Sequence, residues 1–212
     1  MIKIFELIIS AFFCDRCPYC GRTVPSGKLY CKNCGTLFPK EYRKNRVAGG
    51  YRCVAPFRYE GVFRKAVNNF KFYSRPEYDK GLAAQICKCV KAEYGDEIDL
   101  ITFVPMRRAK QIQRGYNQAE LLARQMSKIL SIPCRRQLIQ HKKNKTQHEL
   151  SSLERKANVK GVYKAVETER IKGKTVLVVD DISTTGCTLG ECCKVLEKAG
   201  AKKLYCASVC GR

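Results

Sequence analysis

What this chain is short of narrows its chemistry first. Acidic residues are scarce: 19 Asp and Glu stand against 41 Lys and Arg, leaving a net charge of +22. That excess is more than solubility requires, and it favours a polyanionic substrate or partner over a cationic one. Histidine is nearly absent, with only His141 and His148, both in a polar connection where an exposed spectator role is the common one. No side chain therefore stands out as a general base. Long apolar runs are missing as well, none reaching the roughly eighteen residues that a membrane span needs. Residues 1–13 are partly apolar, yet Glu6 interrupts them, Lys3 is their one basic residue and no small-residue cleavage site follows. They read as a short amphipathic helix with Ile4, Leu7, Ile8 and Phe12 on one face, and not as a secretory leader.

Cysteine, by contrast, is plentiful, with 14 in the chain. With no leader expected, a reducing cytoplasm is the expected location, which argues for metal ligands and buried thiols over a disulfide framework. Two C-x-x-C-G turns, Cys17 to Gly21 and Cys31 to Gly35, lie ten residues apart. Cys17, Cys20, Cys31 and Cys34 in this spacing are expected to hold one structural Zn²⁺, because four thiolates leave no open position for a catalytic water. Cys14 is set aside because no glycine closes its turn with Cys17. Cys87, Cys89, Cys192, Cys193, Cys206 and Cys210 fall in helix- or strand-like runs and read as small core hydrophobes.

The chemistry centres on residues 175–189, TVLVVDDISTTGCTL. Val176, Leu177, Val178 and Val179 predict a buried strand, which Asp180 and Asp181 are expected to end, followed by a turn and a helix over 189–199. Ser183, Thr184, Thr185, Gly186, Cys187 and Thr188 are mostly short, hydroxylated or flexible, so backbone N–H groups and a helix N-terminus can wrap a phosphate dianion. Adjacent carboxylates at the tip of such a strand call for ribose hydroxyls or a divalent cation. Cys187 has two readings: a thiol activated by the helix end, or a filler of the space of Ala.

Upstream, a strand over 53–59, helices over 62–72 and 77–94, and a strand over 99–104 predict a parallel sheet with its site at the strands' C-terminal ends. Residues 105–118 read as a loop whose Arg107, Arg108, Lys110 and Arg114 either hold a pyrophosphate or form a solvated run. Asn117 is expected to cap the next helix with Glu120 in a capping box, and Leu121, Leu122, Met126, Ile129 and Leu130 to be its buried stripe. Residues 141–161 predict a mobile hood between short strands at 136–139 and 162–166. The last strand is expected over 203–209, and 40–46 as a basic link between an N-terminal unit, 1–46, and a larger domain, 47–212. Basic clusters at 40–46, 107–114, 142–145 and 155–160, interleaved with Tyr42, Tyr51 and Tyr116, suit single-stranded nucleic acid.

Residues 176–188 resemble the phosphoribosyl pyrophosphate (PRPP) motif of type I phosphoribosyltransferases, with Ser183 where that motif has an aliphatic residue. The paired C-x-x-C turns, the RGYNQ segment at 114–118, the TQ-to-GVY segment at 146–163 and DDISTTGCTL together are similar to the ComF late-competence family. The resemblance implies an α/β, type I phosphoribosyltransferase-like parallel sheet flanked by helices, carrying a small N-terminal zinc ribbon. It further implies that Asp180 and Asp181 face ribose and Mg²⁺, that 183–188 hold the 5′-phosphate, and that Arg107, Lys110 and Arg114 lie on the pyrophosphate side. Transfer of a pentosyl group from PRPP to a nitrogen acceptor, in a protein of DNA uptake, is the activity implied. The rival reading is a non-enzymatic module that binds single-stranded DNA, or a protein of the uptake machinery, and keeps the phosphate site.

Overall fold

A computed structural model describes residues 15–72, 75–142 and 159–211. The helix expected over 1–13, Cys14 and residues 143–158 of the expected hood lie outside the described residues. A small N-terminal unit comprises β1 (Asp15–Arg16) paired antiparallel with β2 (Thr23–Val24), then the single turn α1 (Lys32–Gly35). The main sheet draws on β3 (Arg43–Arg46), β4 (Arg52–Ala55), β5 (Phe57–Arg58), β6 (Leu100–Phe103), β9 (Thr175–Ser183) and β10 (Lys203–Gly211). Its strand order is β3-β4-β10-β9-β6, with β5 following β4 along β10. All pairings are parallel except that of the edge strand β3 with β4.

Helices α2 (Gly61–Phe72) and α3 (Asp79–Tyr94) lie between β5 and β6, and α4 (Arg108–Arg114) and α5 (Gln118–Leu130) follow β6. The antiparallel pair β7 (Leu138–Gln140) and β8 (Tyr163–Ala165) flanks the stretch expected as a hood, and α6 (Cys187–Lys198) links β9 to β10. Val176, Leu177, Val178 and Val179 are all fully buried. Since alternate residues of a strand face opposite ways, both faces of β9 are covered, as a parallel sheet between helix layers requires. The expected core cysteines, Cys87, Cys89, Cys192, Cys193, Cys206 and Cys210, are buried free thiols.

Several local expectations change. The strand does not end at the acids: β10 runs on to Gly211 and keeps pairing, so β9 continues through Asp180 and Asp181 to Ser183, opposite Gly211. Residues 105–118 are not all loop, because the helix-favouring run RAKQIQR forms α4 before Gly115 ends it in a left-handed cap. Asn117 caps α5, its side chain accepting from the Ala119 N–H and donating to the Val104 carbonyl, which ties the helix to the end of β6. Glu120 closes no capping box; it pairs with Arg124 and Arg136. Of the expected stripe, Leu122 and Met126 are buried and Leu121 and Leu130 pack half-buried against the core, whereas Ile129 is 46% exposed and Gln118, Ala119 and Ala123 complete the buried face.

The basic stretch expected as a link supplies the edge strand β3, since its backbone pairs with β4 from Arg43 to Arg46. The N-terminal unit also shares packing with β5 and α2. Tyr19 sits edge-on to Phe38, Phe57 and Phe63, and the Phe57 and Phe63 rings stack 4.1 Å apart.

Candidate functional site

The C-terminal end of β9 leads through residues 184–186 into α6, with Gly186 as the N-cap at φ 67°. That left-handed turn favours glycine, and a side chain there would strike Val47: a Cβ at Gly186 falls 2.6 Å from the Val47 Cβ. A Cβ at Gly190, one turn into α6, would lie 2.0 Å from the Ala48 carbonyl oxygen. The loop is therefore backed closely by residues 47–48. Ser183, Thr184, Thr185, Gly186, Cys187 and Thr188 line one cleft of about 1150 Å³, together with Asp180 and Asp181. Arg107, Lys110 and Arg114 line it too, so every residue assigned to the sugar-phosphate side reaches the same space. Cys187 is only 9% exposed, which agrees with the space-filling reading and not with an activated surface thiol.

β9 continues through the two acids, and both line the cleft at its C-terminal end. Asp181 accepts from Lys71 of α2 at 3.1 Å, while the Asp180 Oδ1 accepts from the Asp181 N–H at 2.8 Å. Burial, and then the neighbouring Asp181 charge, push the Asp180 carboxyl well above the ordinary carboxylate range, against the pull of Lys71. The Asp181 carboxylate holds Lys71 in its charged form although burial opposes it. Burial, then Arg114 and Lys71, push Lys110 downward. The cleft thus sets a row of cations against an acid pair that has one internal counter-ion, an arrangement that suits a polyanion arriving with a divalent cation.

Among the cleft residues that carry no role in the sequence reading are Lys71, Phe72 and Tyr163. Lys71 and Phe72 end a helix whose position the sequence predicts, but no spacing relates them to an acid pair more than a hundred residues later. Tyr163, on β8, is buried at the cleft wall. The Lys71 pair has a direct test in a thermal-unfolding cycle of Lys71→Met, Asp181→Asn and the double variant. A coupling of about 0.5–3 kcal/mol is expected for residues in contact, and additive losses would show that the pair contributes nothing.

The second cluster lies in the N-terminal unit. The Sγ atoms of Cys17, Cys20, Cys31 and Cys34 all fall within 4.8 Å of one another, and those of Cys20 and Cys31 are 3.7 Å apart. Four sulfurs about 2.3 Å from a tetrahedral ion would be separated by about 3.8 Å, so the quartet is already shaped to hold a metal. Gly21 makes its knuckle at φ 76°, donating to the Cys17 carbonyl, and the Cys34 N–H donates to the Cys31 sulfur. Burial opposes the Cys20 thiolate, but hydrogen bonds from the Arg22 backbone and the three other thiols outweigh it and bring the group to about 7.

Of the tyrosines expected to stack on bases, Tyr116 packs on Phe70 and donates to its carbonyl, and Tyr51 donates to Glu197. Tyr42 is half-buried against the core. Among the described residues, no helix is long and apolar enough to cross a membrane.

Residues 114–212 match the phosphoribosyl transferase domain family. The chain is 32% identical over 195 residues to competence protein F of Haemophilus influenzae, covering 88% of this chain and 82% of that protein. It is 27% identical to the DNA utilization protein YhgH of Escherichia coli, over 92% of this chain and 83% of that one. With competence protein ComFC of Bacillus subtilis it shares 26% identity, over 87% and 72% of the two chains. The sheet described above, with its flanking helices, is accordingly of the type I phosphoribosyltransferase kind.

Proposed function

The chain belongs to the ComF family of competence proteins, and from that premise we propose that it binds PRPP with Mg²⁺ in the cleft and acts in competence-related DNA uptake. The observation that carries this reading is the convergence of Asp180, Asp181, the 183–188 loop and the cations Lys71, Arg107, Lys110 and Arg114 on one cavity. In it the loop takes the 5′-phosphate, the acids take the ribose hydroxyls, and the cations take the diphosphate. Asp180 and Asp181 would also hold Mg²⁺, which would supply charge neutralisation for a departing pyrophosphate. The chain's own residues position the sugar phosphate and stabilise anions, and the bond exchanged is the C1–O bond for a C1–N bond to a nitrogen acceptor.

The Cys17, Cys20, Cys31 and Cys34 quartet would hold a structural Zn²⁺, and the buried free thiols suit a reducing cytoplasm. A second reading, a non-enzymatic module for single-stranded DNA or an uptake protein, draws on the net charge of +22.

Titration calorimetry of PRPP with and without Mg²⁺, followed by a screen for pyrophosphate release over nitrogenous acceptors, tests both. Mg²⁺-dependent binding with turnover supports a transferase, and binding without turnover supports the module. No PRPP binding at all would overturn the proposal.

A further inference from the structure

We propose that Phe72 is a stacking surface for a nucleobase at the mouth of the cleft; for a free base accepting the pentosyl group this rests on the PRPP assignment of that cleft. Phe72 is the last residue of α2 and falls outside that helix's buried set of Ala66, Val67 and Phe70. It is 51% exposed, yet it stands on the wall of the cleft beside Lys71, Arg114 and the acid pair. The ring is thus half open to solvent on a cleft wall instead of packed in the core with Ala66, Val67 and Phe70.

The ring is held in place. Tyr116 donates to the Phe70 carbonyl at 2.5 Å and the Gln118 amide donates to the Lys71 carbonyl at 3.4 Å, so the 114–118 segment caps the end of α2. The Arg114 guanidinium lies 5.1 Å from the Phe72 ring centre and the Lys71 ammonium 5.9 Å. These contacts give an aromatic face flanked by cations, the combination on which bases stack while their phosphates are neutralised.

Position and volume favour the same occupant. Lys71 touches Asp181 and lies over Phe72, so one ammonium separates the ring from the carboxylate assigned to ribose, and a base joined to that ribose would come to lie near the ring. The cleft, about 1150 Å³, is large enough to take a planar group beside a sugar phosphate. The shared chemistry is a planar nitrogen heterocycle, supplied either as a free base or by a base of single-stranded DNA.

The chain has no tryptophan, so Phe72→Trp creates a single emitter at the proposed surface. Its fluorescence would be titrated with adenine, hypoxanthine and uracil in the presence of PRPP and Mg²⁺, and separately with oligothymidylate and an abasic oligomer of equal length. Quenching by a free base identifies an acceptor subsite; quenching by oligothymidylate but not by the abasic strand identifies a DNA subsite. Phe72→Ala should then weaken that ligand roughly 5- to 150-fold, the equivalent of about 1–3 kcal/mol per stacked base. If no base and no oligomer quenches, or the abasic strand quenches equally, the inference is wrong. PRPP calorimetry on the unsubstituted protein separates that failure from failure of the cleft assignment, and the DNA arm needs no PRPP.

Discussion

With both acids changed, Asp180→Asn and Asp181→Asn together, affinity for PRPP in Mg²⁺ is expected to fall at least about a hundredfold by calorimetry. Hydrogen bonds to charged groups contribute about 1.5–3 kcal/mol each, and about 1.4 kcal/mol is a factor of ten. The fold should survive, because Val176, Leu177, Val178 and Val179, which supply the buried apolar part of β9, are untouched. Unchanged affinity would remove the ribose assignment. The single change Asp180→Asn carries a second signature. Its carboxyl is raised in the folded state, so ionisation favours unfolding, and the stability this group contributes is present at low pH and lost as pH rises through the raised value. Thermal melts of the unsubstituted protein should therefore weaken from about pH 4 upward through that value by a component that Asp180→Asn removes.

The second large effect concerns the cysteine quartet. One equivalent of zinc per chain is expected, and its removal by a strong chelator should unravel the N-terminal unit, since structural zinc in finger peptides stabilises by about 10–16 kcal/mol. Apart from the aromatic contacts to β5 and α2, the unit has little regular structure of its own: β1 and β2 are two residues each and α1 is a single turn. Tyr19 lies between Cys17 and Cys20 and packs on Phe38, Phe57 and Phe63, so near-ultraviolet circular dichroism should change as the metal leaves. Cys34→Ser should reproduce the change. Well under half an equivalent of zinc in protein purified without chelator would count against the assignment.

The parts of the site that were legible in the sequence are those whose chemistry is local. The 183–188 loop is written in consecutive residues and the thiol quartet in two short C-x-x-C turns, and the structure gathers the four thiols together. The acid pair was legible as a pair but not as part of a strand that runs on past it. In a strand buried on both sides the apolar run has no alternation, and nothing in it tells how far pairing with β10 continues. Lys71, Phe72 and Tyr163 were not legible as site residues because their places depend on packing across the fold, and a lone Lys or Phe at a helix end carries no spacing signal. Ile129 fits a helical stripe by period, yet the face it shares turns toward solvent in the last turn of α5. Glu120 sits at the capping-box spacing, but the cations Arg124 and Arg136 compete for it.

The close backing of Gly186 and Gly190 by Val47 and Ala48 makes the first quarter of the chain part of the mould for the 183–188 loop. On the proposed reading, a loop cast against such a wall would not widen, so ligands that differ at the phosphate end would be rejected by shape, and drift in ligand preference would be left to the rest of the cleft around Phe72 and Arg107. Autonomy of the C-terminal half is limited in the same way. A fragment cut to residues 114–212 would keep both acids and the whole loop, yet it would lose β3 to β6 and the segment against which the loop is cast. Its sequence signature would be intact and its geometry would not.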